Sequence, residues 1–193
     1  MSARRLRAWW RLMPAETRAD GLQWYAKANG FVRLLAEAHN VDTLIAGAVL
    51  AILSPNTSWS QSLIDADNVL KAWRDKVPTG WTVVTTYDAN KQKAFDLLTG
   101  AKAPEECVRG PKVRAFFHNL LGDLDEVTID SHALNAWAGK RIAGAGLHTP
   151  RRITTIRQCE ADYRMLARWV GVKPAQAQAA IWCYWRQRNE VTR

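Results

Sequence analysis

The stretch "PEECVRGPKVRAFFHNLLG" (residues 104–122) reads as a short helical turn, a tight connection and a second helix. Pro111 suits a first helical position, where its missing amide costs nothing, and Gly122 stands where glycine ends a helix. Lys112 therefore falls in the first turn of that helix. This end carries partial positive charge, so by ordinary charge preference the lysine is on the wrong end. Arg109 and Arg114 lie on either side of it. Turn amides around Gly110, a helix N-terminus and three cations together suit a phosphate.

Helical signals continue outward from this pair. Apolar residues at helical spacing predict a helix over Leu22–Ala38. Asp42 can cap the apolar run "TLIAGAVLAIL" (43–53), and Ser58 or Thr57 can cap a helix from Trp59 to about Trp73. A short helix follows Asp88 and ends at Gly100; another starts around Ser131 and ends near Gly139. The last third predicts a helix from about Ile153 to Val170 and one from Pro174 to about Arg188. The isolated stretch "WTVVTTY" (81–87) is the one strand candidate, and an extended connection suits it better. The expectation is an all-α protein of about eight to ten helices. It would form a single unit over 1–193 with two helical lobes, a central one at roughly 43–121 and a second from 1–42 plus 122–193.

Composition narrows the function. The chain of 193 residues carries 27 Lys and Arg against 18 Asp and Glu, a net charge of +9. Such a balance suits either a polyanionic partner, nucleic acid foremost, or simple solubility. Ten tryptophans are several times ordinary usage. Trp9, Trp10, Trp59, Trp81 and Trp137 can be core residues or platforms on which bases stack. The basic amino-terminus, with Arg4, Arg5, Arg7 and Arg11, can clamp DNA or pack as an amphipathic helix. Three widely spaced cysteines give no disulfide framework and no zinc or iron–sulfur motif, which fits a reducing cytoplasm. The apolar run 43–53 is far short of the roughly 20 residues needed to cross a bilayer, so no membrane partner is expected. None of His39, His118, His132 and His148 forms an i, i+4 metal pair, and neither a metal nor another cofactor is expected. No G-x-S-x-G elbow and no phosphate-loop signature occurs.

Asp130 stands 18 residues after Lys112, in "VTIDSHALNAW", directly before a predicted helix. On its own it is an ordinary N-cap. Taken with "G-x-K", the order Gly110, Lys112, Asp130, Ser131, His132 resembles the helix–hairpin–helix DNA glycosylases of the endonuclease III type. The segment "AVLAILSPNTSW" is similar to the part of that family where an apolar helix ends and a polar residue wedges into the DNA stack; Asn56 holds the wedge position. Departures are visible: asparagine stands where glutamine usually wedges, with Pro55 before it. The hairpin reads "E-C-V-R-G", with Val108 at the first glycine position, and the four-cysteine cluster loop of many members is absent. "LSPNTSW" also resembles phage-associated members of the superfamily, the α-glutamyl/putrescinyl-thymine pyrophosphorylases.

The resemblance implies a double-stranded DNA partner and a base flipped into an aromatic pocket, with Trp59 and Trp137 as lining. It implies glycosidic bond cleavage, with Asp130 stabilising positive charge at the sugar and Lys112 as a Schiff-base nucleophile that gives lyase activity. An attacking amine has to be neutral, whereas a free lysine titrates near about 10.4. Asn56, Arg109, Gly110, Arg114, Ser131 and His132 would contact DNA. The phage branch implies instead substitution at the 5-methylene of a modified thymine, in the cytoplasm of the host. A non-catalytic DNA-binding module is the third reading.

Overall fold

The computed structural model describes residues 2–142 and 150–189. Ten α-helices and a 3-10 turn (Thr79–Trp81) make up this part of the chain, and no strand occurs among the described residues. In order, the helices are α1 Ser2–Leu12, α2 Ala15–His39, α3 Thr43–Leu53, α4 Trp59–Arg74, α5 Asp88–Leu98, α6 Pro104–Cys107, α7 Pro111–Leu120, α8 Ser131–Ala138, α9 Pro150–Val170 and α10 Pro174–Arg188. The all-α expectation holds, and residues 82–87 are a connection. Three boundaries move, and α9 begins at Pro150, three residues before Ile153. Helix α2 begins at Ala15, seven residues before Leu22, because Pro14 precedes it and Glu16 suits its first turn. Helix α5 begins at Asp88 itself, which pairs with Lys91 at 3.0 Å, while Tyr87 takes the cap position without a side-chain bond.

The chain forms two compact units. Described residues 28–122 form the central unit; described residues 2–27, 123–142 and 150–189 form the terminal unit. The expected lobes divide at 42/43, whereas the units divide within α2 after Lys27. The second half of α2 belongs to the central unit because its side chains are spent there. Val32 is fully buried and lies near Gly47 of α3, and Asn29 Nδ2 donates to Leu120 O at 2.7 Å.

In the central unit, α3 is buried at every position from Ala46 to Leu53 and packs against α4, α5, α6 and α7. Each fully buried Val, Leu or Ile there contributes about 1.5–3 kcal/mol. Asp42 caps the helix, accepting from the Leu44 amide at 2.6 Å. The loop 82–87 is tied down by a buried carboxylate. Asp65 accepts from Gln61 Nε2 (3.0 Å), the Thr85 amide (2.9 Å) and Thr85 Oγ1 (2.6 Å). Thr86 Oγ1 then donates to Pro55 O at 2.8 Å, joining this loop to the α3–α4 turn.

In the terminal unit, α10 packs against α1, α8 and α9 around Leu6, Tyr163, Leu166 and Ile181. Small residues let two helices approach closely. A Cβ on Gly21 of α2 would lie 2.4 Å from the Ala180 Cα of α10, so only glycine fits. Helix α8 is held at both ends. Asp130 caps its start, and at its end Arg5 Nη1 donates to Trp137 O at 2.9 Å, a cation at the negative pole of the helix.

Candidate active site

Asp130 leaves a buried extended segment, Val127 and Thr128, and has extended backbone (φ −93°, ψ −177°) at the N-cap of α8. Its Oδ1 accepts from the Ala133 amide at 2.7 Å. Its Oδ2 accepts from Trp182 Nε1 of α10 at 2.8 Å. Two donors on two helices fix the plane of a half-buried carboxylate, and each oxygen keeps a lone pair for a further partner.

Aromatic rings surround this group. The Trp182 ring meets Trp24 edge-on (centroids 5.8 Å) and His132 edge-on (6.3 Å). The Arg186 guanidinium, one turn along α10, sits 4.4 Å over the Trp182 ring. Tyr25 is buried beside them, its hydroxyl donating to Gln178 Oε1 at 3.3 Å. Burial pushes the Tyr25 phenol far above its ordinary range, and the nearby Asp130 charge adds to the rise. Tyr25 is thus a neutral hydroxyl in the wall of the site. Ser131 is exposed at the first position of α8.

Trp137, half-buried on α8, is turned toward α9. Its indole N–H donates to the buried Asp162 at 2.7 Å, and its ring packs on the terminal unit's core. The aromatic residues that meet around the Asp130 carboxylate are Trp24, Tyr25 and Trp182. These three were missed because Trp24 and Trp182 lie 106 and 52 residues from Asp130 in the sequence. No local spacing announces such a meeting. Trp182 and Arg186 do stand at i, i+4, a visible cue that they share a helix face.

The other expected residues belong to the central unit. The α6–α7 turn takes its left-handed backbone at Gly110 (φ +93°), whereas Val108 has φ −83° and is buried. Valine at the first glycine position is therefore unstrained: the turn makes its steric demand two residues later, and the Val108 side chain fills core. Lys112 is half-buried in the first turn of α7, with Arg109 and Arg114 exposed around it. None of the three cations has an ion pair or side-chain hydrogen bond among the described residues. The Arg114 amide bonds to Gly110 O at 3.0 Å and Pro111 has no amide, so the Lys112 and Val113 amides are the open donors of this helix start.

Asn56 is exposed in the turn after α3 with a left-handed backbone (φ +65°), which asparagine tolerates better than most residues. Thr57 Oγ1, bonded with Ser62 Oγ at 2.6 Å and to Ser54 O at 3.0 Å, fixes that turn. Trp59 opens α4 half-buried, its ring edge-on to Phe31 and Phe116. Lys112 and Asp130 lie in different units. Asn56, Trp59, Arg109, Gly110 and Arg114 share the unit of Lys112; Ser131, His132 and Trp137 share that of Asp130.

Among the described residues no group of three or more His, Cys, Asp or Glu side chains could hold a metal ion; His148 lies outside those residues. No single helix among them is long and apolar enough to cross a membrane.

The chain belongs to the family of unknown function DUF7178, whose family model matches residues 1–189. No curated protein and no solved structure matches it.

Proposed function

We propose that this member of DUF7178 is a DNA enzyme that acts on a flipped base and cleaves its N-glycosidic bond. The observation that carries the reading is the Asp130 carboxylate, oriented by the Ala133 amide and the Trp182 indole beside the rings of Trp24 and Trp182. Breaking a base–sugar bond sends the bonding electrons to the base and leaves positive charge at the anomeric carbon. A fixed carboxylate stabilises that charge, and aromatic faces accept a base taken out of the stack. The basic chain supplies affinity for phosphates.

Lys112 is the nucleophile in this reading. Its amine forms a bond to the anomeric carbon as the bond to the base breaks, the departing base takes up a proton, and ring opening gives a Schiff base. Borohydride reduces that imine to a stable amine. Trapping on DNA with an abasic site, and on DNA with damaged or 5-substituted pyrimidines, therefore tests the assignment. Wild type should give a covalent adduct that Lys112→Ala lacks, and Asp130→Asn should slow base release by at least about 100-fold. An adduct formed equally by Lys112→Ala removes Lys112 from the mechanism. Base release that Asp130→Asn leaves unchanged removes Asp130 with it.

A further inference from the structure

The amino-terminal tryptophans pack inward, Trp10 buried and Trp9 partly so. Trp9 Nε1 donates to Ala136 O at 3.0 Å, its ring edge-on to Tyr184 and Trp185, and Trp10 is buried beneath Arg18. In the terminal unit the most exposed tryptophan is Trp169, near the end of α9 and 42% exposed. Two guanidiniums from α1 lie over its ring, Arg7 at 5.1 Å and Arg11 at 5.2 Å from the centroid. Arg4, Arg7 and Arg11 stand at i, i+3 and i+7, so they share one face of α1. Helix α1 contains no acidic residue, and none of the three arginines has an ion pair or hydrogen bond among the described residues.

Like charges four residues apart on a helix repel each other, so the face is unfavourable until an anion joins it. A guanidinium held over an indole face makes no hydrogen bond to the ring and keeps its N–H fork for another partner. That fork matches two phosphate oxygens, and the indole holds it in place beforehand, which lowers the entropy lost on binding. A merely solvated face needs neither an exposed tryptophan nor a cluster of cations without a carboxylate.

We infer that the Arg4–Arg7–Arg11 face of α1, braced on Trp169, docks the sugar–phosphate backbone of DNA. The choice of DNA as the polyanion rests on the reading above, but no residue is shared with the contacts of Asp130. The test is fluorescence anisotropy of the full chain with a labelled duplex over a salt series. Each phosphate contact contributes about 0.9 to the slope of log K against log salt. The double variant Arg7→Gln/Arg11→Gln should lower the slope by about 1.8, with a melting temperature within a few degrees of wild type, because the two lost contacts to Trp169 are offset in part by the loss of a repelling pair. Trp169→Ala should keep the slope and weaken binding several-fold; unchanged affinity would remove Trp169 as the brace.

A double variant that keeps the full slope overturns the inference. So does a wild type that binds phosphatidylserine vesicles through these arginines while its DNA slope ignores them. A full slope in the double variant, together with base release sensitive to Asp130→Asn, defeats the docking face alone. A wild type that binds no duplex defeats both readings.

Discussion

The two units solve the same packing problem with different materials. The central unit is nearly neutral, with 10 Lys and Arg against 9 Asp and Glu among its described residues, and its core is the aliphatic helix α3. The terminal unit carries 16 against 8, and seven of the ten tryptophans. All five arginine–tryptophan stacks found among the described residues are in the terminal unit. About one such contact per 70–80 residues is usual, so the arginines there are held against aromatic faces well beyond ordinary expectation. An aliphatic core has no polar edge to satisfy. An indole core must place every N–H, and in doing so Trp182 orients Asp130 and Trp137 engages Asp162. The basic, aromatic unit is therefore also the one whose carboxylates are oriented by indoles.

The sharpest way to break this contrast is at the close crossing of the terminal unit. Gly21→Val would drive side-chain atoms into the α10 backbone, where even a Cβ would lie 2.4 Å from Ala180 Cα. It should cost about 3 kcal/mol or more, read by urea unfolding. Gly30→Ala on the same helix meets nothing within 4 Å and should instead gain about 0.5–1 kcal/mol. Equal effects of the two would show that the crossing is looser than its geometry.

Next in size is the central unit's polar clip. Asp65→Ala strands three donors on two segments and should cost about 2–3 kcal/mol. Hydrogen exchange should show the loss concentrated at residues 82–87. Uniform exchange across the unit would mean that the clip braces the whole core.

The smallest effect is chemical. Burial pushes the half-buried Cys183 thiol of α10 up to about 11, against the pull of Arg186. A folded-state value raised above the ordinary thiol range favours the neutral form. Its stabilisation is therefore complete below about pH 8.5 and is lost as pH rises toward 11. Iodoacetamide labelling of Cys183 in the native chain should keep accelerating through about pH 11, followed by peptide mass spectrometry. A rate that levels off near about pH 8.5 would show an open thiol, and hence a more loosely packed α10.

Helices were the most legible part of the sequence, because caps and glycines act locally. Asp42, Ser58 and Asp130 each cap the helix expected of them, and Gly139 ends α8 in a left-handed conformation. The start of α2 was obscured because "AETRADG" has little apolar periodicity, although Pro14 marks it. For the candidate site, Asp130 was visible as a cap before a helix, but its indole partner was not. Trp9 and Trp10 stand out beside their arginine neighbours, yet Trp10 is buried and Trp9 partly so; Trp169, inside an ordinary-looking helix, is the one Arg7 and Arg11 cover.

The sequence by itself determined the all-α class, most helix ends and the strong positive charge. Each depends on interactions within a few residues or on a sum over the chain. Only the tertiary structure decided which carboxylate an indole holds, which tryptophans face water and where α2 passes from one unit to the other. Those outcomes depend on contacts between residues far apart in sequence, such as Trp182 with Asp130, Arg7 with Trp169, and Asn29 with Leu120. Side-chain periodicity along a helix selects a face to bury, but the identity of the neighbour it meets is fixed only when the helices pack.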